Sequence, residues 1–156
     1  MNAQGLCSKP MISRTPEDLA KAALELHAST RGKIAMQTKT PIESMDDLTL
    51  VYSPGVGAVS KQIAAVPEDV NVYTWRKNTV AVVSDGSAVL GFGNIGPRAA
   101  LPVMEGKCAI FKRFANIDAV PLVLDTQDPQ ELVNIIAALE PSFGAIQLED
   151  ISAPRC

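Results

Sequence analysis

Apolar residues recur at helical spacing in four stretches of the chain. Residues 15–18 combine an N-cap hydroxyl, a proline at the first helical position and acidic side chains, and the apolar stripe that follows predicts a helix ending at Gly32. Residues 128–131 repeat this signal ahead of a second stripe. The same spacing predicts two further helices, over residues 56–66 and 96–115.

Short apolar and β-branched runs lie between these helices and predict strands. The runs are residues 34–36, 48–52, 79–84, 119–124 and 144–148. After the run that ends at Ser84, Asp85-Gly86 is typical of a two-residue turn, and residues 87–92 then return as a second arm. The sequence therefore predicts an α/β fold, in which a mixed sheet with flanking helices has a parallel portion and an antiparallel hairpin.

Composition narrows the class of protein. The 156 residues are 47% hydrophobic and 20% charged, as expected for one globular domain, which we place at residues 15–156 after a tail at 1–14. A net charge of -3 without a basic cluster argues against a nucleic-acid partner. Every charge-free stretch is shorter than the roughly twenty residues of a membrane helix, and no secretory signal is visible. We expect a cytoplasmic protein with reduced cysteines.

A glycine-rich segment offers the first candidate chemistry. Gly91, Gly93 and Gly96 match the G-x-G-x-x-G pattern of dinucleotide-binding folds. The predicted hairpin argues against that interpretation, since the nucleotide fold needs the first strand of a parallel unit before its glycines. A plain tight turn is one alternative. In another, the segment with Asn94 and the start of the next helix binds a small carboxylate.

Four other residues carry groups suited to catalysis or metal binding. Glu149 and Asp150 end a predicted strand and suit a hard cation such as Mg²⁺ or Mn²⁺, although such a pair also occurs in solvated loops and helix caps. Lys107 lies in an apolar helical stretch and could act as a general base or be a surface lysine. Tyr52 lies at a predicted strand-to-helix junction, either as a ligand contact or as a core residue.

Five motifs occur in an order that resembles the N-terminal domain of malic enzymes of the short prokaryotic type. The motifs are Tyr52-Ser53-Pro54-Gly55-Val56, Val82-Val83-Ser84-Asp85-Gly86, Leu90-Gly91-Phe92-Gly93-Asn94-Ile95-Gly96-Pro97, Met104-Glu105-Gly106-Lys107 and Leu148-Glu149-Asp150-Ile151. The resemblance runs from about Thr15 to Cys156. It implies that the domain over residues 15–156 is the substrate and metal domain of such an enzyme.

The resemblance also implies a function and a role for each site residue. The family converts malate to pyruvate and CO₂, with NAD or NADP as hydride acceptor and Mg²⁺ or Mn²⁺ as Lewis acid. Carried over to this chain, Lys107 is the general base, Tyr52 is the general acid, and Glu149 and Asp150 are metal ligands. The helices of the domain are expected to form a homodimer contact.

Two departures from the family pattern limit this interpretation. Ala88 stands where larger malic enzymes have an arginine that contacts the substrate, so the glycine-rich turn is expected to take over that contact. The resemblance places a third metal ligand and the nicotinamide-binding Rossmann domain beyond Cys156, so we expect the 156 residues alone to be inactive. A malolactic enzyme, or a free-standing module that binds a dicarboxylate or dimerises, remains an alternative.

Overall fold

The computed structural model describes residues 15–154, and the chain divides into two units between Gly32 and Lys33. The predicted tail at 1–14 and Cys156 lie outside the described residues. The first unit contains helix α1, Pro16–Thr30. The Thr15 hydroxyl accepts a hydrogen bond from the Asp18 backbone N–H at 3.2 Å, which confirms the predicted N-cap.

The second unit begins with helices instead of the two strands that we expected at residues 34–36 and 48–52. Helix α2 spans Met45–Val51, and residues 34–38 have no regular secondary structure. For residues 48–52 the reason is a capping box: the Ser44 hydroxyl accepts from the Asp47 backbone N–H, and the Asp47 carboxylate accepts from the Ser44 backbone N–H. Helix α3, Val56–Ala65, and the short α4, Val70–Tyr73, follow.

A three-stranded sheet forms the centre of this unit. Strands β1, Thr79–Ser84, β2, Asp118–Val123, and β3, Ala145–Leu148, lie in the order β2-β1-β3, and both neighbouring pairs are parallel. Helix α5, Pro97–Ala115, connects β1 to β2, and α6, Pro129–Ala138, lies between β2 and β3. The α/β class, these two helices and these three strands are confirmed. Single 3-10 turns occur at Pro67–Asp69, Arg76–Asn78 and Glu140–Ser142.

Side chains of β1 alternate between two hydrophobic cores, one on each face of the sheet. One core contains Ala81, Val83 and Phe143, and residues of α6 and β2 pack against it. The other contains Val82, Met104 and Cys108, so α5 lies on the opposite face. Because helices cover both faces of the sheet, strand residues that point to either face are mostly apolar, and the strands appear in the sequence as continuous apolar runs. Among residues 15–154, no helix is long and apolar enough to cross a membrane.

The predicted antiparallel hairpin is wrong. Residues 87–92 form no strand, and the antiparallel pairing there is an isolated bridge between Val89 and Gly93. The physical reason is that β1 already pairs on both edges with parallel strands, so neither edge is open to a hairpin arm. Gly86 turns the chain instead: its φ is +70°, and its carbonyl accepts a hydrogen bond from the Gly96 N–H at 3.1 Å.

Candidate functional site

The carboxyl ends of two neighbouring strands bring the candidate residues together. Val83 of β1 lies opposite Leu148 of β3 in the parallel register, so the residues that follow each strand meet at one edge of the sheet. Glu149 and Asp150 follow β3 there, and the Glu149 backbone N–H extends the ladder by donating to the Val83 carbonyl at 2.9 Å. Ligands of open α/β sheets bind at this edge.

Helix α5 presents Lys107 to Glu149. The Lys107 Nζ lies 3.2 Å from the Glu149 Oε2, and the two side chains are 35% and 23% exposed. The Gln147 amide donates to the same carboxylate oxygen at 3.3 Å. The lysine therefore has an acidic partner inside the site, and the two residues that the sequence proposed for different roles lie within ion-pair distance.

Asp150 is held in an unusual backbone conformation. Its φ is +54°, in the left-handed region, and its carbonyl accepts the Ala88 N–H at 3.0 Å. The Oδ2 atom of its carboxylate is buried without a hydrogen-bond partner among the described residues. Burial and the adjacent Glu149 raise the pKa of Asp150, and Lys107 and the Leu90 N–H oppose this increase.

The two carboxylates fit part of a divalent-cation site. Both are hard oxygen donors on consecutive residues, and the buried Asp150 Oδ2 retains unused acceptor capacity. Within residues 15–154, no group of three or more histidine, cysteine, aspartate or glutamate side chains is suitably arranged for a metal ion. Glu149 and Asp150 can thus supply two ligands, and further ligands must come from water, substrate or additional protein groups.

The glycine-rich segment is an exposed loop between β1 and α5. Asn94 forms a reciprocal amide pair with Gln127, with distances of 3.2 and 3.1 Å, so its side chain already has partners. A Cβ added at Gly91, Gly93 or Gly96 would meet no atom within 4 Å. In a dinucleotide fold the third glycine allows close packing of helix and strand. The predicted hairpin is absent, but the open surroundings of Gly96 argue against a dinucleotide site.

Tyr52 follows helix α2 and precedes α3, so the predicted strand-to-helix junction is in fact a helix-to-helix turn. The turn is tight, since a Cβ at Gly55 would lie 2.5 Å from the Thr49 carbonyl oxygen. The tyrosine is 68% exposed, which excludes the core alternative in this structure. No hydrogen bond in the described part of the chain joins Tyr52 to Lys107 or the acidic pair, so its catalytic role stays a prediction.

Sequence reasoning missed two polar residues at the same edge of the sheet. Asp85 and Ser87 are buried, at 0% and 6% exposure, and the Ser87 hydroxyl lies 2.5 Å from the Asp85 Oδ1. Asp85 directly follows strand β1, as Glu149 directly follows β3. This shared position at the end of a strand was the signal that could have identified Asp85 as a site residue. The expected hairpin obscured this signal, because it places Asp85 in a two-residue turn and not at the end of a parallel strand.

Comparison with known proteins gives consistent matches to one family. The family model for "Malic enzyme, N-terminal domain" matches residues 31–134, which include Tyr52, Lys107 and the glycine-rich loop; Glu149 and Asp150 lie beyond the match. The NAD-dependent malic enzyme of Geobacillus stearothermophilus is 56% identical over 80% of this chain and 26% of that protein. The NADP-dependent malic enzyme of Salmonella typhimurium is 49% identical over 90% of this chain and 19% of that protein.

A solved structure shows the same fold. The NAD-dependent malic enzyme of Thermotoga maritima superposes with a TM-score of 0.84 at 54% identity, covering 86% of this chain and 36% of that one. The chain thus spans between about a fifth and about a third of the length of these relatives. Since the family model covers well over half of the residues, the chain belongs to the malic enzyme N-terminal domain family.

Proposed function

We propose that this chain forms the malate- and metal-binding part of an enzyme that oxidatively decarboxylates malate to pyruvate and CO₂. The observation that carries the proposal is the cluster of Lys107, Glu149 and Asp150 at the carboxyl edge of the sheet. The matching relatives include one named as NAD-dependent and one named as NADP-dependent, so we propose NAD or NADP as the hydride acceptor.

Glu149 and Asp150 are the residues that would hold Mg²⁺ or Mn²⁺. When bound, such an ion supplies Lewis-acid polarisation of the substrate oxygens. The acidic pair carries the negative charge that attracts the cation. The Asp150 Oδ2 is buried away from water and has no hydrogen-bond partner among the described residues, so it can accept a cation contact. Gln147 and Lys107 both contact the Glu149 Oε2 and orient that carboxylate.

Lys107 and Tyr52 are proposed to move the protons. In its neutral amine form, Lys107 takes the proton of the C2 hydroxyl while the C2 hydride leaves for the nucleotide, which gives a keto acid. Loss of CO₂ then leaves its bonding electrons in an enolate, and the Tyr52 hydroxyl gives a proton to C3 to form pyruvate. The exposed Tyr52 ring, on a tight turn, is free to reach a substrate. The loop with Gly91, Gly93, Asn94 and Gly96 is proposed to contact a malate carboxylate.

A homodimer is proposed for the enzyme. Apolar side chains of the helical part, such as Leu50 and Val72, are 73% and 71% exposed in the single chain, and burial in a partner contact would remove this surface from water. Light scattering of the natural polypeptide should give twice the mass of one chain. A monomer mass would refute this part of the proposal. The cytoplasmic location predicted from the sequence also remains a proposal.

The activity is tested on the natural polypeptide that carries these 156 residues. We expect malate-dependent reduction of NAD or NADP together with pyruvate, abolished by a chelator and restored by Mn²⁺. Lactate without reduced nucleotide would instead identify a malolactic enzyme. If neither product forms with either nucleotide in the presence of Mn²⁺, the enzymatic proposal is wrong and a non-catalytic module is favoured.

A further inference from the structure

A buried hydroxyl links the loop after β1 to the segment that follows the acidic pair. The Asp85 Oδ1 accepts hydrogen bonds from the Ser87 N–H at 2.9 Å and from the Ser87 hydroxyl at 2.5 Å. The Ser87 Oγ in turn accepts the Ser152 backbone N–H at 2.9 Å, across 65 residues of sequence. We call this set of contacts, Asp85 to Ser87 to Ser152, the Ser87 bridge.

The Ser87 bridge lies beside the contacts that hold Asp150. Ser87 precedes Ala88, whose N–H donates to the Asp150 carbonyl, and Ser152 lies two residues after Asp150. Leu90 and Asp150 both have left-handed backbones, with φ of 49° and 54°. The Cβ of a non-glycine residue crowds the backbone in this conformation, so surrounding contacts must maintain it.

From this geometry, we infer that Ser87 is a positioning residue for Asp150: the Ser87 bridge keeps the Ala88 N–H on the Asp150 carbonyl and thereby fixes the direction of the Asp150 carboxylate. This inference rests on the proposed function, in which Asp150 is a metal ligand. It assigns a role to a residue outside the reacting groups. The outer partners of metal ligands commonly alter metal affinity by about 10- to 100-fold.

The chemistry of the bridge needs a hydroxyl. At 2.5 Å the Ser87 Oγ–H donates to the Asp85 carboxylate, and the same oxygen accepts from Ser152. Alanine can do neither, which leaves the Ser152 N–H without its acceptor and removes the link between the two segments. Threonine retains both functions. Ser87→Ala and Ser87→Thr are therefore a matched pair, and Ser142→Ala is a control at an exposed serine in the turn after α6.

Two measurements on the natural polypeptide test the inference. The first is amide hydrogen exchange without metal, measured at the Ala88 N–H. The Leu124 N–H is the internal reference, because it donates to the carbonyl of Ser84 at the end of β1. In Ser87→Ala we expect Ala88 to exchange at least about tenfold faster and Leu124 to be unchanged. The second is the Mn²⁺ dissociation constant, which should rise about tenfold or more in Ser87→Ala. Ser87→Thr and Ser142→Ala should stay near the wild type in both.

The outcomes separate the inference from the proposed function. If the Ala88 N–H keeps its protection from exchange in Ser87→Ala, Ser87 does not position Asp150. The same conclusion follows if Ser87→Ala binds Mn²⁺ within twofold of the wild type while Asp150→Asn binds it more weakly than that. If the wild type and Asp150→Asn bind Mn²⁺ equally, the proposed metal role of Asp150 fails. The Ala88 exchange rate then decides on its own whether the Ser87 bridge holds the Asp150 backbone.

Discussion

Replacing Gly86 by alanine should destabilise the fold more than any other glycine-to-alanine change in the loop between β1 and α5. Gly86 has a φ of +70°, and a Cβ there would lie 2.2 Å from the Gly96 carbonyl carbon and 2.6 Å from the Pro97 nitrogen. These are backbone atoms, so no side-chain rotation relieves the overlap. The left-handed conformation costs an alanine about 1–2 kcal/mol. Loss of the hydrogen bond from Gly96 to Gly86 costs about 1 kcal/mol more.

We therefore expect the free energy of unfolding to fall by about 2–3 kcal/mol once the backbones separate, which corresponds to a melting temperature about 4–12 °C lower. Denaturant unfolding followed by circular dichroism measures the change. Gly91→Ala is the matched control, because Gly91 lies in the same loop, has no positive φ and has nothing within 4 Å of its added Cβ. Gly86→Ala with the stability of Gly91→Ala would refute the close approach of Gly86 and Gly96.

Three further predictions concern stability and reactivity. Met104→Ala empties a fully buried position and should lower the free energy of unfolding by about 2–5 kcal/mol in denaturant titrations, whereas Ile110→Ala, at an exposed position on the same helix, should cost under about 1 kcal/mol. The hydrogen bond from Lys112 lowers the pKa of Asp118 in the folded protein. The pair therefore contributes stability at pH values above the ordinary aspartate pKa, and this contribution is lost as the pH falls through the lowered pKa. Unfolding measured between pH 7 and pH 3 should show a shallower acid loss in Asp118→Asn, with a difference at pH 7 of under about 1 kcal/mol; equal pH slopes would contradict the assignment. Burial raises the pKa of Cys108 to about 11, so iodoacetamide should alkylate it at pH 8 only when the protein unfolds, and rapid labelling of the folded chain would show an open core.

Local signals were sufficient for the elements that have strong caps or continuous apolar runs. The prolines at the starts of α1, α5 and α6 stand where the sequence placed them, and β1 is apolar because α5 and α6 cover both faces of the sheet. The run at residues 48–52 was too short for its period to separate strand from helix. Ser44 and Asp47 carried the deciding information, since their capping box starts α2 three residues before that run.

The hairpin could not be judged from its own residues. Asp85-Gly86 is a good turn signal, but the partner of β1 is decided by β2 and β3, which lie far away in sequence. The same non-local pairing places Glu149 beside Lys107 and brings Ser87 to Ser152. The sequence could therefore name the acidic pair and the lysine separately, whereas the contact between them and the contact between Ser87 and Ser152 depend on the register of the sheet.

The central claim is that Lys107, next to the acidic pair, is the base of a malate-converting site. The most direct measurement is kcat for malate-dependent nucleotide reduction in Lys107→Ala, compared with Lys112→Ala, a lysine on the same helix that pairs with Asp118 instead. We predict that Lys107→Ala, with unchanged circular dichroism and melting temperature, loses at least about 100-fold in kcat, while Lys112→Ala stays within about twofold of the wild type. A folded Lys107→Ala enzyme with kcat near that of the wild type would contradict the account.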